Sequence, residues 1–164
     1  MAIAAGEHAT AEDVLSAIAA ATIRPEQLTL IPLVPTSVGQ GTWSPSPFTG
    51  GVVPLNLVFY NSSNADGDNV SFKVEVKAGT YTLYVVDAKG PSMAKIDVYV
   101  DATKVISASD RYFASSLIPY FMTASSLSLT AGEHTIKIQI NGKNASSSGY
   151  YAHLGYFTLG RTGA

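Results

Sequence analysis

The chain contains no cysteine. That removes disulfides, zinc–thiolate sites, iron–sulfur clusters and thiol nucleophiles together. Charge is scarce as well. Asp, Glu, Lys and Arg make up 13% of the 164 residues, against about 25% in ordinary soluble domains. Ten Lys and Arg against twelve Asp and Glu leave a net charge of −2, so no broad basic field exists to hold nucleic acid or an anionic membrane. Long hydrophobic runs are also missing. The weakly charged stretch from Thr29 to Asn64 is cut by Pro32, Pro35, Pro45, Pro47 and Pro54, and a bilayer-spanning helix cannot run through it. The opening has no basic leader. Glu7, Glu12 and Asp13 stand in its place, and Ala17 to Ala21 form a weak apolar block, so no secretory signal is expected and assembly in the cytoplasm is.

Catalytic signatures are absent too. The three histidines, His8, His134 and His153, belong to no H-E-x-x-H pattern, and neither G-x-S-x-G nor a P-loop occurs. The twelve acids show no spacing that selects a carboxylate pair for glycoside hydrolysis. His134, beside Glu133, reads as turn chemistry. Neither an enzyme nor a cofactor is expected.

What the chain does have is 46% hydrophobic residues with 18 Ser and 14 Thr, at a length suited to one domain. Three zones follow. Residues 1–27 predict a helical arm: Thr10 is an N-cap, Glu12 and Asp13 sit in the first turn, and Val14, Leu15, Ile18 and Ile23 line one apolar face before Pro25 stops it. So short a helix is marginal alone, and must dock on its own domain or on another subunit or larger assembly. Residues 28–51 read as a Pro/Gly-rich linker or extended segment holding Trp43, the only tryptophan, with Leu28 to Ile31 as an edge strand.

Residues 52–164 read as a series of strands. Val70, Phe72, Val74 and Val76 alternate with Ser71, Lys73 and Glu75, and Ile96, Val98 and Val100 alternate with Asp97 and Tyr99. Turns are expected at Lys77-Ala78-Gly79-Thr80, Asp101-Ala102-Thr103, Ala131-Gly132-Glu133 and Asn141-Gly142. The expected fold is all-β: a jelly-roll β-sandwich of about eight or nine antiparallel strands with the short N-terminal helical arm.

Two segments share a pattern. Lys77-Ala78-Gly79-Thr80-Tyr81-Thr82-Leu83 and Thr130-Ala131-Gly132-Glu133-His134-Thr135-Ile136 flank Ile96-Asp97-Val98-Tyr99-Val100-Asp101. Over residues 70–159 this resembles the β-sandwich carbohydrate-binding modules appended to glycoside hydrolases, in which such Ala-Gly segments form hairpins. The resemblance implies glycan binding through aromatic faces and planar polar groups. Candidates near strand ends are Tyr112 within Asp110-Arg111-Tyr112-Phe113, Tyr120 within Pro119-Tyr120-Phe121, and Tyr150 with Tyr151. The family's asparagine in the loop before the last strand points to Asn144. Its structural calcium uses paired glutamates and a late aspartate that this chain lacks, and Asp66-Gly67-Asp68-Asn69 has neither the spacing nor the distal glutamate of a calcium loop. No metal is expected.

The opening Met1-Ala2-Ile3-Ala4-Ala5-Gly6-Glu7-His8-Ala9-Thr10-Ala11-Glu12-Asp13-Val14 resembles the start of bacteriophage tail, fibre and structural proteins. That resemblance implies a virion component, a head decoration, head fibre or tail protein. The arm would anchor it among capsid or tail proteins, and it would associate with itself as a homo-oligomer on the virion surface. The alternative is a stand-alone glycan-binding module or the tip of a host-receptor-binding adhesin.

Overall fold

A computed structural model of the chain describes residues 28–31, 34–47 and 57–163. The expected arm, with Val14, Leu15, Ile18 and Ile23, lies outside the described residues. Among the described residues there are eleven strands: β1 (Leu28–Ile31), β2 (Ser37–Gln40), β3 (Trp43–Pro47), β4 (Leu57–Asn61), β5 (Asn69–Val76), β6 (Gly79–Lys89), β7 (Ala94–Val100), β8 (Thr103–Asp110), β9 (Ile118–Leu129), β10 (Gly132–Lys143) and β11 (His153–Gly163). They form two antiparallel sheets. The first runs β3-β4-β11-β6-β9, with β1 also on β11; the second runs β2-β5-β10-β7-β8. The all-β sandwich expected from the alternation is present, with more strands than the alternation alone marks.

The expected edge strand Leu28 to Ile31 is β1, on β11, and residues 28–51 hold two further strands, β2 on β5 and β3 on β4. Pro45 is tolerated because β3 is an edge strand. Trp43 is buried and stacks on Phe59 at 6.1 Å. Phe59 then meets Phe72 edge-on at 6.0 Å, and Phe72 meets Phe157 at 5.4 Å. This aromatic row crosses from one sheet to the other. Around it Leu83, Val85, Ile96, Val98, Ile136 and Ile138 fill the interior, each worth roughly 1.5–3 kcal/mol when fully buried.

Two expected turns have a different geometry. Ala78-Gly79 does not close a hairpin: β5 lies in the second sheet and β6 in the first. Ala131-Gly132 likewise carries the chain from β9 in the first sheet to β10 in the second. Both are corners between sheets. A Cβ at Gly79 would sit 2.6 Å from the Gly163 carbonyl oxygen and 2.5 Å from Arg161 Nε, so close approach explains that glycine. Asn141-Gly142 is no tight turn either. It lies inside β10 where the register with β7 shifts between Ile140 and Lys143, and Gly142 takes φ +75°. A bulge with a left-handed glycine re-aims the strand end there. Asp101-Ala102 does join β7 to β8 as a hairpin, Val100 pairing Thr103.

Asp101 also ties that hairpin to β10. Its Oδ1 accepts from Thr135 N at 2.9 Å, and His134 Nδ1 lies 2.7 Å from its Oδ2. His134 Nε2 lies 3.0 Å from the Thr130 carbonyl. A carbonyl and a carboxylate only accept, so the protonated ring, an imidazolium, satisfies both contacts by donating from each nitrogen. Burial lowers the His134 pKa, but the hydrogen bonds to Asp101 and Thr130 and the Asp101 charge outweigh it, leaving the ring above its ordinary value. A raised folded-state value stabilises fully below the unfolded pKa of about 6.5 and is lost as pH rises through the folded one. Replacing His134 by glutamine is therefore expected to cost about 1 kcal/mol at pH 5.5, Asp101 being half exposed. The cost should be smaller at pH 9. Urea unfolding of both proteins at the two pH values measures it, and an equal cost at both would remove the imidazolium.

The outer faces differ in charge. The second sheet turns Lys73, Glu75, Lys95, Asp97 and Lys137 outward, with Lys73–Glu133 and Lys104–Asp97 ion pairs at 2.5 Å each. The first sheet turns Tyr84, Thr123, Tyr156 and Thr158 outward instead.

Candidate functional site

Antiparallel strands bring the 41–42, 62–68, 90–93, 111–117 and 144–152 segments to one end of the sandwich. Four of the five nominated residues stand there. Asp110, the last residue of β8, joins two of them: its Oδ2 accepts from Asn144 Nδ2 at 2.7 Å and its Oδ1 from Tyr112 N at 2.8 Å. Burial works against the Asp110 charge. It is outweighed by those two hydrogen bonds and then by the positive charges of Lys95 and Lys89, so the carboxyl lies below its ordinary value. Asn144 Oδ1 accepts from Ser146 N at 2.9 Å, which fixes which way the amide faces. Phe113 follows Tyr112 and is exposed, its N–H bonded to the Gly90 carbonyl at 3.1 Å.

Tyr150 and Tyr151 reach the same end through their backbones. Tyr150 N donates to Asn64 Oδ1 at 2.5 Å, and its carbonyl accepts from Asn61 Nδ2 at 2.8 Å. The Tyr150 ring packs against the core beneath Lys143 Nζ, 5.0 Å away. Tyr151 N donates to the Ser92 carbonyl at 3.1 Å, and its own carbonyl takes Ala94 N at 2.8 Å. Its ring lies 6.2 Å from that of His153, whose pKa burial lowers to about 4. Tyr120 stands apart from this group. It lies on β9 opposite Asp87, packed on the core, with Lys89 Nζ at 4.0 Å and the Arg111 guanidinium at 4.8 Å from its ring.

The carboxylate that joins Tyr112 to Asn144, and the exposed ring of Phe113, were not singled out by sequence reasoning. The signal was adjacency, since both belong to the Asp110–Phe113 run. Arg111 within that run is fully buried and pairs with Asp87, Nε to Oδ2 at 2.5 Å. The Asp66–Asn69 stretch is a turn held by protein donors. Asp68 Oδ2 accepts from Ser63 Oγ at 2.6 Å and Ala65 N at 3.1 Å, and Asp66 Oδ1 accepts from Gly142 N at 2.7 Å. Among the described residues no three His, Cys, Asp or Glu gather as a metal-ligand set, and no helix is long and apolar enough to cross a membrane.

No protein-family model matches the chain, and no curated protein matches its sequence. Solved structures do match. A Paenibacillus xanthan lyase is 26% identical with a TM-score of 0.65, over 84% of this chain and 13% of the lyase, so the chain spans a small part of that enzyme's length. The CBM36-1 domain of a multidomain xylanase from the hindgut metagenome of Trinervitermes trinervoides is 16% identical, TM-score 0.59, over 84% of this chain and 99% of the domain. A family 35 carbohydrate-binding module from an environmental isolate is 15% identical, TM-score 0.58, covering 82% and 94%. The chain has the jelly-roll sandwich of carbohydrate-binding modules. Some of the similar structures are parts of enzymes.

Proposed function

We propose that this chain is a glycan-binding module that takes a sugar at the loop end of the sandwich. One observation carries the reading: the Asp110–Asn144 carboxylate–amide pair, held at 2.7 Å beside Tyr112 and the exposed ring of Phe113. Aromatic faces cover the apolar C–H surface of a pyranose, and planar polar groups pair with its hydroxyls. The fold shared with carbohydrate-binding modules supports it. Tyr150 and Tyr151 shape the wall of the site, whereas Tyr120 serves the core below it.

Glycan-array screening of the full chain, followed by titration of the best ligand, tests the reading. Tyr112→Ala is expected to weaken binding about tenfold, the equivalent of about 1.4 kcal/mol, with stability little changed. A flat array, or full affinity in both Tyr112→Ala and Asn144→Ala, would overturn it. Display on a phage particle, with virion partners and self-association, is a finer proposal resting on Met1 to Val14 alone, outside the described residues. Incorporation into particles, lost on deleting residues 1–27, is its test.

A further inference from the structure

Among the described residues, five of the eight large exposed hydrophobics share one surface. They are Leu28, Leu30, Tyr84, Phe121 and Tyr156, between 40% and 66% exposed. The register places them together. Leu28 faces Gly160 and Leu30 faces Thr158 on β11, Tyr156 pairs with Val86, and Val86 pairs with Phe121 on β9. The inward phase of the same strands is taken by Ile31, Phe157, Leu83 and Val85, so the five side chains lie on the outer face of the first sheet. The Tyr84 ring lies across Gly160, where an added Cβ would meet it at 3.0 Å and Leu28 Cδ2 at 3.7 Å. Their strands, β1-β11-β6-β9, span three spacings, about 14 Å. An apolar face of this kind is unusual on a soluble domain, and the second sheet carries the Lys73–Glu133 and Lys104–Asp97 ion pairs instead.

We propose that residues 10–24 of this same chain, which lie outside the described residues, cover that face, with the apolar stripe that the sequence predicts (Val14, Leu15, Ile18 and Ile23) set against Tyr84, Phe121 and Tyr156. Three facts select this occupant over a second copy or an outside ligand. The chain enters the sandwich at Leu28, itself a member of the face. Only Pro25, Glu26 and Gln27 separate the stripe-bearing segment from it, and three residues reach at most about 10 Å. A helix over residues 10–24 would be about 22 Å long, enough to cross the four strands. A tether this short gives an effective concentration in the millimolar range (about 1 mM), which competes well against partners arriving from solution.

The absence of native cysteine makes the test direct. Ile18→Cys with Phe121→Cys in the full chain is expected to form a disulfide within one chain under mild oxidation. The reaction should run about 100-fold faster than cross-linking between chains at about 10 μM. The control pair Ile18→Cys with Lys73→Cys places the second thiol on the charged sheet and should not close. Mass spectrometry of proteolysed protein tells links within a chain from links between chains. Links mainly between chains would make a second copy the occupant and overturn the proposal. No link from Ile18→Cys to Phe121→Cys, Tyr156→Cys or Tyr84→Cys would overturn it as well.

Discussion

Replacing Arg111 by methionine is expected to destabilise the sandwich by about 3–5 kcal/mol at pH 7, because it leaves the buried Asp87 carboxyl without its partner, to stay charged or take up a proton. Arg111 and Asp87 are each 1% exposed. Arg111 Nε donates to Asp87 Oδ2 at 2.5 Å, its NH1 reaches Ser109 Oγ at 2.5 Å, and its NH2 points at Met122 Sδ. Asp87 Oδ1 is buried with no hydrogen-bond partner among the described residues. Burial pushes the Asp87 pKa up to about 6, against the opposing pull of Arg111 and Lys89. The sign follows. A carboxyl whose folded value is raised stabilises fully below its unfolded pKa of about 3.9 and loses that contribution as pH rises through about 6. Without Arg111 the carboxyl is harder still to ionise, so the damage should grow above pH 6 and shrink toward pH 4. The double replacement Arg111→Met with Asp87→Leu removes both charges and is expected to recover most of the loss at pH 7. Trp43, buried and unique, reports urea unfolding by its fluorescence. A loss below about 1 kcal/mol in the single variant would mean water or another group already solvates Asp87.

That ion pair also marks where sequence reasoning stops. Arg111 sits between Asp110 and Tyr112, both surface residues of the loop end, and nothing local marks it as interior. Its partner is 24 positions upstream, on a strand of the other sheet. The alternation of β5, by contrast, was fully legible, since Val70, Phe72, Val74 and Val76 are its buried residues. A period of two tells which side of a strand faces inward. It does not tell which sheet the next strand joins, and so the two Ala-Gly segments read as hairpins although they are corners between sheets. Residues 28–51 were legible only in part: Leu28 to Ile31 reads as an edge strand and is β1, whereas β2 and β3 fall in the Pro/Gly-rich stretch. Proline and glycine composition describes local stiffness, whereas β2 is held by pairing with a distant strand, Val38 opposite Val70. For the loop end, residue type was enough to nominate Tyr112 and Asn144. The carboxylate between them needed the β8 end and the 144–152 segment brought together in space. The outward aromatics Tyr84 and Tyr156 were within reach of the pattern, because each falls on the polar phase of its strand.

Asn61→Ala is the second replacement expected to have a large effect, about 3 kcal/mol, and it acts on the loop end from below. Asn61 closes β4 and is completely buried. Its Oδ1 accepts from Ala152 N at 2.6 Å, and its Nδ2 donates to the Tyr150 carbonyl at 2.8 Å and to Asp68 Oδ2 at 3.3 Å. Alanine removes all three bonds and leaves a buried backbone donor and acceptor unsatisfied, each costing about 1–3 kcal/mol. Asn61→Asp should be worse at pH 7. It keeps the acceptor for Ala152 but sets a second carboxylate beside Asp68 with no donor between them. Amide exchange separates this local role from a general weakening. In Asn61→Ala the Ala152 amide should exchange faster than amides in the middle of β10, which keep their pairing with β5 and β7. Unchanged protection at Ala152 would show that another group holds the 150–152 segment in place. Accelerated exchange together with weaker glycan binding would show that one amide at the end of β4 fixes a wall of the site 89 positions further along the chain.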